Sequence, residues 1–203
     1  EGKALKQVSA RALFSRIMQS LAETGNGWVC FKDRANERCS QTGKSGRIVR
    51  SSNLCTEIIE VANKEETAVC NLGSINLSAF VTKNGGFDFD ELKTVVQKAV
   101  TFLDRVIDIN FYPIQEARNS NREWRPIGLG IMGLQDTFFK LRLAFDSVEA
   151  RNLSNRISAA IYFHALHTSM KLAQAEGAFP QFTQSRYSDG ELQMHLASKF
   201  EAF

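Results

Sequence analysis

The feature that most constrains the fold is a long helical pattern starting at Asp146. Asp146 and Glu149 form a capping signal, and a stripe of Leu153, Ile157, Ile161, His164, Thr168 and Leu172 follows. The pattern runs to about Ala175, and Gly177 closes it. At 1.5 Å per residue this helix would span ~45 Å, about the width of a domain larger than this chain alone would make. The chain is therefore read as one domain or part of one.

Bulk properties narrow the class. The 203 residues are 43% hydrophobic and 23% charged, as in ordinary globular proteins. A formal charge of +3, dispersed along the chain, does not suggest a nucleic-acid binder. No apolar run approaches the ~20 residues of a membrane span, and the opening EGKALKQVSARALF is not a signal peptide. The first residue is not Met, which fits a segment of something longer. Cys30, Cys39, Cys55 and Cys70 match no zinc-ligand spacing, so thiols in a reducing, cytoplasmic setting are expected.

Further elements follow from periodicity. Residues 3–23 read as an amphipathic helix carrying Leu5, Val8, Leu13, Ile17 and Leu21, ended by Gly25 and Gly27. The polar run Lys32 to Arg47 reads as a loop. Extended structure is expected from Ile48 to Val61 and again from Thr67 to Asn71, broken by NKEE. Asp88 and Glu91 cap a helix with the stripe Leu92, Val95, Val96, Ala99, Leu103, Val106 and Ile107, and Pro113 follows its end. Trp124 to Met132 reads as a short strand, with another helix from about Leu134. Beyond Pro180 the pattern is weak.

Several groups of residues could carry chemistry. GLGIMG, Gly128 to Gly133, is a literal dinucleotide fingerprint, but the second strand and acidic residue that such a unit requires are missing. Its glycines are better read as permitting close strand–helix packing. His164 and His167 could seat a metal, but His164 lies in the apolar stripe and no HExxH motif is present, so no metal site is assigned. Asp104 and Asp108 read as a solvated helix face, and Cys30 and Cys39 as incidental.

The stretch SSNLCTEI, Ser51 to Ile58, is harder to dismiss. In an extended segment Asn53, Cys55 and Glu57 share one face, which a helix would scatter. Cys55 alone would pass as a small buried hydrophobe, yet a carboxylate on the same apolar face would be costly without a partner. Cys70 lies beyond a polar turn, where an antiparallel return could place it beside Cys55. Two thiols, a carboxylate and an amide on a strand pair suit redox chemistry on a polar substrate.

SSNLCTEI followed by ETAVCNLGSINL strongly resembles the catalytic large (alpha) subunit of class I ribonucleotide reductase, with the two cysteines fifteen positions apart. ARALFSRIMQSLAETG, FKDRAN, RVIDINFYP, SNREWRPIGLGIMGLQDTFFKL and AFDSVEAR resemble further segments of that subunit in the same order. Similarity runs from about Lys3 to Gln193. The resemblance implies reduction of ribonucleoside diphosphates at the ribose 2′-hydroxyl. On this likeness Cys55 matches the cysteine that becomes a thiyl radical and abstracts the 3′-hydrogen. Glu57 matches the general base for the 3′-hydroxyl, Asn53 the amide that orients the ribose, and Cys70 one of two cysteines that end as a disulfide.

The implied fold is α/β and helix-rich, part of a ten-stranded barrel of two half-barrels with the radical cysteine on a finger loop at about 51–58. The trio then belongs on an extended loop rather than in a ladder, with all of residues 1–203 in the catalytic barrel. The ATP-cone, the specificity site, the second redox cysteine and the C-terminal tyrosines and cysteines of the family are expected outside this chain. The implied partners are a ribonucleoside diphosphate, the small (beta) subunit, the rest of the large subunit with its homodimer, and nucleoside triphosphate effectors acting through those outside regions. The segment itself would bind no cofactor. A metal-containing small subunit would supply the radical, and thioredoxin or glutaredoxin the reducing equivalents. Two other readings compete: a non-catalytic fragment that only binds other subunits, and an independent Cys55/Cys70 thiol oxidoreductase, which lacks a CxxC-like activating motif.

Overall fold

The computed structural model describes residues 6–192, so residues 3–5 of the expected first helix lie outside it. Six α-helices are present among the described residues: α1 (Ala10–Thr24), α2 (Lys32–Arg38), α3 (Phe89–Ile109), α4 (Gln115–Trp124), α5 (Leu134–Leu141) and α6 (Val148–Glu176). Two strands, β1 (Asn71–Asn76) and β2 (Ile127–Met132), complete the framework.

β1 and β2 pair in parallel, with Asn71 opposite Ile127 and Asn76 opposite Met132. Parallel partners need a long crossover, which α3 and α4 supply. The core forms where the crossover helix meets both the sheet and the long helix. Ile75, Leu77, Phe80, Leu92, Val96, Val100 and Ile157 are buried together, with Leu153, Ile161 and Leu172 of α6 packed against them. The stripes of α3 and α6 therefore face each other.

Caps explain where these helices begin. The Asp88 carboxylate accepts from Glu91 N at 2.9 Å, and Gly177 follows the end of α6. At the start of α6, Ser147 rather than Asp146 is the cap, its hydroxyl accepting from Ala150 N at 3.1 Å. α1 begins at Ala10 behind Ser9 and ends at Gly25 in the left-handed region. None of its residues is buried, so the stripe of Val8, Leu13 and Ile17 is exposed.

The structure corrects four expectations. The polar run from Lys32 includes helix α2. A second helix, α4, occupies Gln115–Trp124, so Trp124 ends a helix instead of starting a strand. Ile48 to Val61 forms no ladder, and the Cys70 segment runs into β1, which pairs with β2 and not with an antiparallel return. Asp104 and Asp108 are not idle. Arg125, left-handed at φ 45°, donates from Nε to Asp104 at 3.0 Å and from Nη1 to Asp108 at 2.8 Å. The guanidinium hydrogen bonds hold the Asp108 carboxyl below its usual range, and the clamp fixes the turn from α4 into β2.

GLGIMG spans β2 and the turn into α5. A Cβ at Gly128 would collide with Leu72 Cδ2 and come within 3.1 Å of Cys70 Sγ, and one at Gly133 would lie 2.6 Å from Asn76 Oδ1. Gly133 also takes φ 72°. Close packing accounts for these glycines.

Candidate active site

The site is built on a loop whose two ends are held by α2 and the turns after it. Asn36 brackets Val49, accepting from its N at 2.8 Å and donating to its carbonyl at 2.9 Å. On the returning limb the Cys39 thiol donates to Ile59 O at 3.2 Å, and Gln41 Oε1 accepts from Val61 N at 2.7 Å. Cys39, Val49 and Val61 are buried together beneath the loop. Cys39, expected to be incidental, is thus a structural anchor, and burial raises its thiol pKa. Cys30 is exposed.

Between these anchors the chain makes a tight turn instead of an extended run. Thr56 N donates to Asn53 O at 3.2 Å, which places Leu54 and Cys55 at the apex, and Thr56 takes φ 68°. Period-two alternation does not survive that turn. The polar partners still converge, because Asn53 Nδ2 donates to Glu57 Oε1 at 2.7 Å. Asn53 Oδ1 accepts from Ile58 N at 3.1 Å, and Ser52 Oγ donates to Ile58 O at 2.9 Å, closing the base of the loop. The amide and carboxylate sit as a hydrogen-bonded pair behind an exposed thiol, with Leu54 80% exposed beside it.

Cys70 immediately precedes β1 and is half-buried, facing Gly128. Its approach is fixed by Asn121, which is fully buried and donates from Nδ2 to Val69 O at 2.7 Å. Asn121 Oδ1 also accepts from Asn71 Nδ2 at 3.2 Å and from the Tyr112 hydroxyl. Glu66, within the polar break, ties the same region together. It accepts from Arg47 Nε at 3.0 Å, Asn63 Nδ2 at 2.8 Å and Trp124 Nε1 at 3.1 Å. All four cysteines are free thiols.

A residue that sequence reasoning missed joins the two halves. Glu60 is 8% exposed and its Oε2 has no hydrogen-bond partner, while the Cys70 thiol, coupled to it electrostatically, lies 3.9 Å from Asn71 O. Burial pushes the Glu60 carboxyl up to about 7, partly offset by the Cys70 thiol. Burial also pushes the Cys70 thiol up to about 12, with the Glu60 charge and the Glu57 charge adding to the rise. Only a buried acid within reach of a cysteine signals this pair, and nothing in local spacing reveals it.

Glu60 makes stability depend on pH. The folded carboxyl holds its proton more tightly than the unfolded one, so folding loses free energy as pH rises from about 4.5 to about 7. The loss is about 3 kcal/mol for a shift of this size. Glu60→Gln should therefore gain about 3 kcal/mol of unfolding free energy relative to the parent between about pH 4 and pH 8. Urea denaturation at both pH values measures this difference, and an unchanged difference would contradict it.

The two helix histidines are arranged around Phe163, which stacks on His167 with centroids 5.9 Å apart and meets His164 edge-on at 5.2 Å. Burial, Lys93 and His167 lower the His164 pKa. Among the described residues no three His, Cys, Asp or Glu side chains gather as a metal site. No helix among them is long and apolar enough to cross a membrane.

A βαβ unit with a cysteine-tipped loop beside it is what one part of an α/β barrel enzyme would present. The comparison with known families is direct: the family model described as "Ribonucleotide reductase, barrel domain" matches residues 1–202, and the chain belongs to that family. Its helix-rich fold with a small parallel sheet is a partial segment of the family's α/β barrel. The ribonucleoside-diphosphate reductase large subunit of Caenorhabditis elegans is 43% identical over 97% of this chain and 25% of its own length. The large chain of Encephalitozoon cuniculi is 46% identical over 95% of this chain and 25% of its own. The Monkeypox virus large subunit is 44% identical over 93% and 24%. The chain thus spans about a quarter of the length of the curated relatives it matches.

Proposed function

We propose that residues 1–203 form part of the catalytic barrel of a ribonucleotide reductase large subunit, with the finger loop at about 51–58, and act in reducing ribonucleoside diphosphates. The observation that carries this reading is the turn itself, which projects the Cys55 thiol from a base formed by the Asn53–Glu57 hydrogen bond. A thiol at an exposed apex can meet a substrate that enters from the rest of the barrel. The S–H bond is comparable in strength to the ribose 3′ C–H bond, so hydrogen abstraction by a Cys55 thiyl radical is feasible and reversible.

Glu57, preoriented by Asn53, takes the 3′-hydroxyl proton, which promotes departure of the 2′-hydroxyl as water. Asn53 holds the ribose hydroxyls with its remaining hydrogen-bonding capacity. Cys70 supplies reducing equivalents together with a second thiol from elsewhere in the large subunit. The partners in this reading are the remainder of that subunit and its dimer mate, a radical-supplying metal-containing small subunit, thioredoxin or glutaredoxin, and nucleoside triphosphate effectors. The segment alone would be inactive, and the setting is cytoplasmic.

The test is deoxyribonucleoside diphosphate formation by the assembled large and small subunits carrying Glu57→Gln. Removing the base should cost roughly 10²–10⁴ in kcat, the usual contribution of general base catalysis. Unchanged kcat would exclude Glu57 from the reaction.

A further inference from the structure

Glu66 precedes Cys70 by one short segment and is 7% exposed, a costly place for a carboxylate unless it is paired. Its partners come from three separate parts of the chain. Oε2 accepts from Arg47 Nε at 3.0 Å and from Asn63 Nδ2 at 2.8 Å, and Oε1 accepts from Trp124 Nε1 at 3.1 Å. Arg47 leads into the loop that carries Cys55, just before the Val49 that Asn36 brackets. Trp124 ends α4, the helix whose Asn121 holds Val69 O beside Cys70. Asn63 stands in the turn that joins the loop's return to the Cys70 segment, its Oδ1 accepting from Glu65 N and Glu66 N. The Arg47 guanidinium also lies over the Trp124 ring, 5.2 Å from its centroid, so the loop entry and α4 meet each other as well as the carboxylate.

The chemistry of these contacts requires a carboxylate. All three neighbours present N–H groups, and the side chains of Arg and Trp have no acceptor to offer in exchange. The Asn63 amide cannot turn its oxygen toward Glu66, because that oxygen is engaged by two backbone donors. A glutamine would fill the same space but set its own NH2 against a donor. Resting on the reading of Cys55 and Cys70 as radical and reductant thiols, we propose that Glu66 is a positioning residue that sets the placement of the Cys55 loop relative to Cys70. It acts through the backbone: Arg47 governs where the loop leaves its base, and Asn63 and Trp124 govern where the chain turns toward Cys70. Hydrogen abstraction needs only the substrate and Cys55. Reduction at the 2′ position also needs the ribose held at Cys55 to lie within reach of Cys70, so weakening this tie uncouples the second step from the first.

The experiment uses the full-length large subunit assembled with its small subunit and 3′-tritiated ribonucleoside diphosphate. It reads the tritium released to water per deoxyribonucleoside diphosphate formed. In Glu66→Gln this ratio should rise about tenfold or more, because misplacing a reacting group by ~1 Å can cost its step about 10²-fold. Trp124→Phe, which keeps an aromatic ring under Arg47 and removes one donor, should raise the ratio by a smaller factor. A role in stability alone would lower release and product together and leave the ratio at the parent value, and that result in both variants overturns the inference. Where circular dichroism shows that Glu66→Gln does not fold, the ratio in Trp124→Phe decides. Release that survives Cys55→Ser would instead remove the reading of the loop, whereas Cys55-dependent release with unchanged ratios removes only the role of Glu66.

Discussion

Cys55→Ser is expected to reduce deoxyribonucleoside diphosphate formation by the assembled enzyme to the background of the assay. The reason is bond strength rather than geometry. A serine hydroxyl would occupy nearly the same place at the apex and leave the 3.2 Å turn hydrogen bond between Thr56 and Asn53 intact. Its O–H bond is much stronger than S–H, so an oxygen radical could not be formed by the donor that serves the sulfur. Folding should be unaffected, because Cys55 is exposed and contributes nothing to either buried cluster. Substrate affinity should persist through Asn53 and Glu57. Normal turnover in this variant would sink the assignment.

Cys70→Ser should fail differently. Serine cannot form a disulfide, so product should cease to accumulate with time while Cys55 and its loop remain in place. The half-buried position of Cys70, with Gly128 facing it, leaves room for the smaller oxygen. Serine is close to cysteine in shape and adds no charge, so the stability cost should be small. Multiple-turnover assays with excess dithiol reductant measure the effect, and sustained linear product formation would contradict the role.

Elements with long apolar stripes were legible in the sequence, and those built on polar contacts were not. α3 and α6 announced themselves through spacing, capping and the closing Gly177, because their faces had to find one another in a single core. α2 and α4 read as KDRANER and QEARNSNREW, segments with no apolar stripe. Their stability comes from tertiary contacts such as Asn36 on Val49 and the burial of Asn121 and Trp124. The resemblance placed the trio on a loop, where Asn53 and Glu57 are hydrogen-bonded and Cys55 is exposed. Alternation mistook the geometry, since a left-handed threonine supplies the turn where glycine or asparagine is the usual sign. Glu60 was invisible because its burial comes from the return of the loop, which local spacing does not reveal.

The exposed faces have a related physical meaning. Two parallel strands cannot bury both of their faces, and parallel sheets normally occur covered on each side. Leu72, Ile131 and Met132 in this sheet are exposed, as are Leu13, Phe14 and Ile17 on α1. These surfaces fit a barrel whose other strands and helices belong to the remainder of the subunit in the proposed function.

The most direct test of the central claim uses 3′-tritiated ribonucleoside diphosphate with the assembled Cys70→Ser enzyme. A hydrogen taken from the 3′ position by sulfur exchanges with water through the resulting thiol. The account predicts tritium release that depends on Cys55: present in Cys70→Ser and absent when Cys55→Ser is added. Equal release from both enzymes would contradict it.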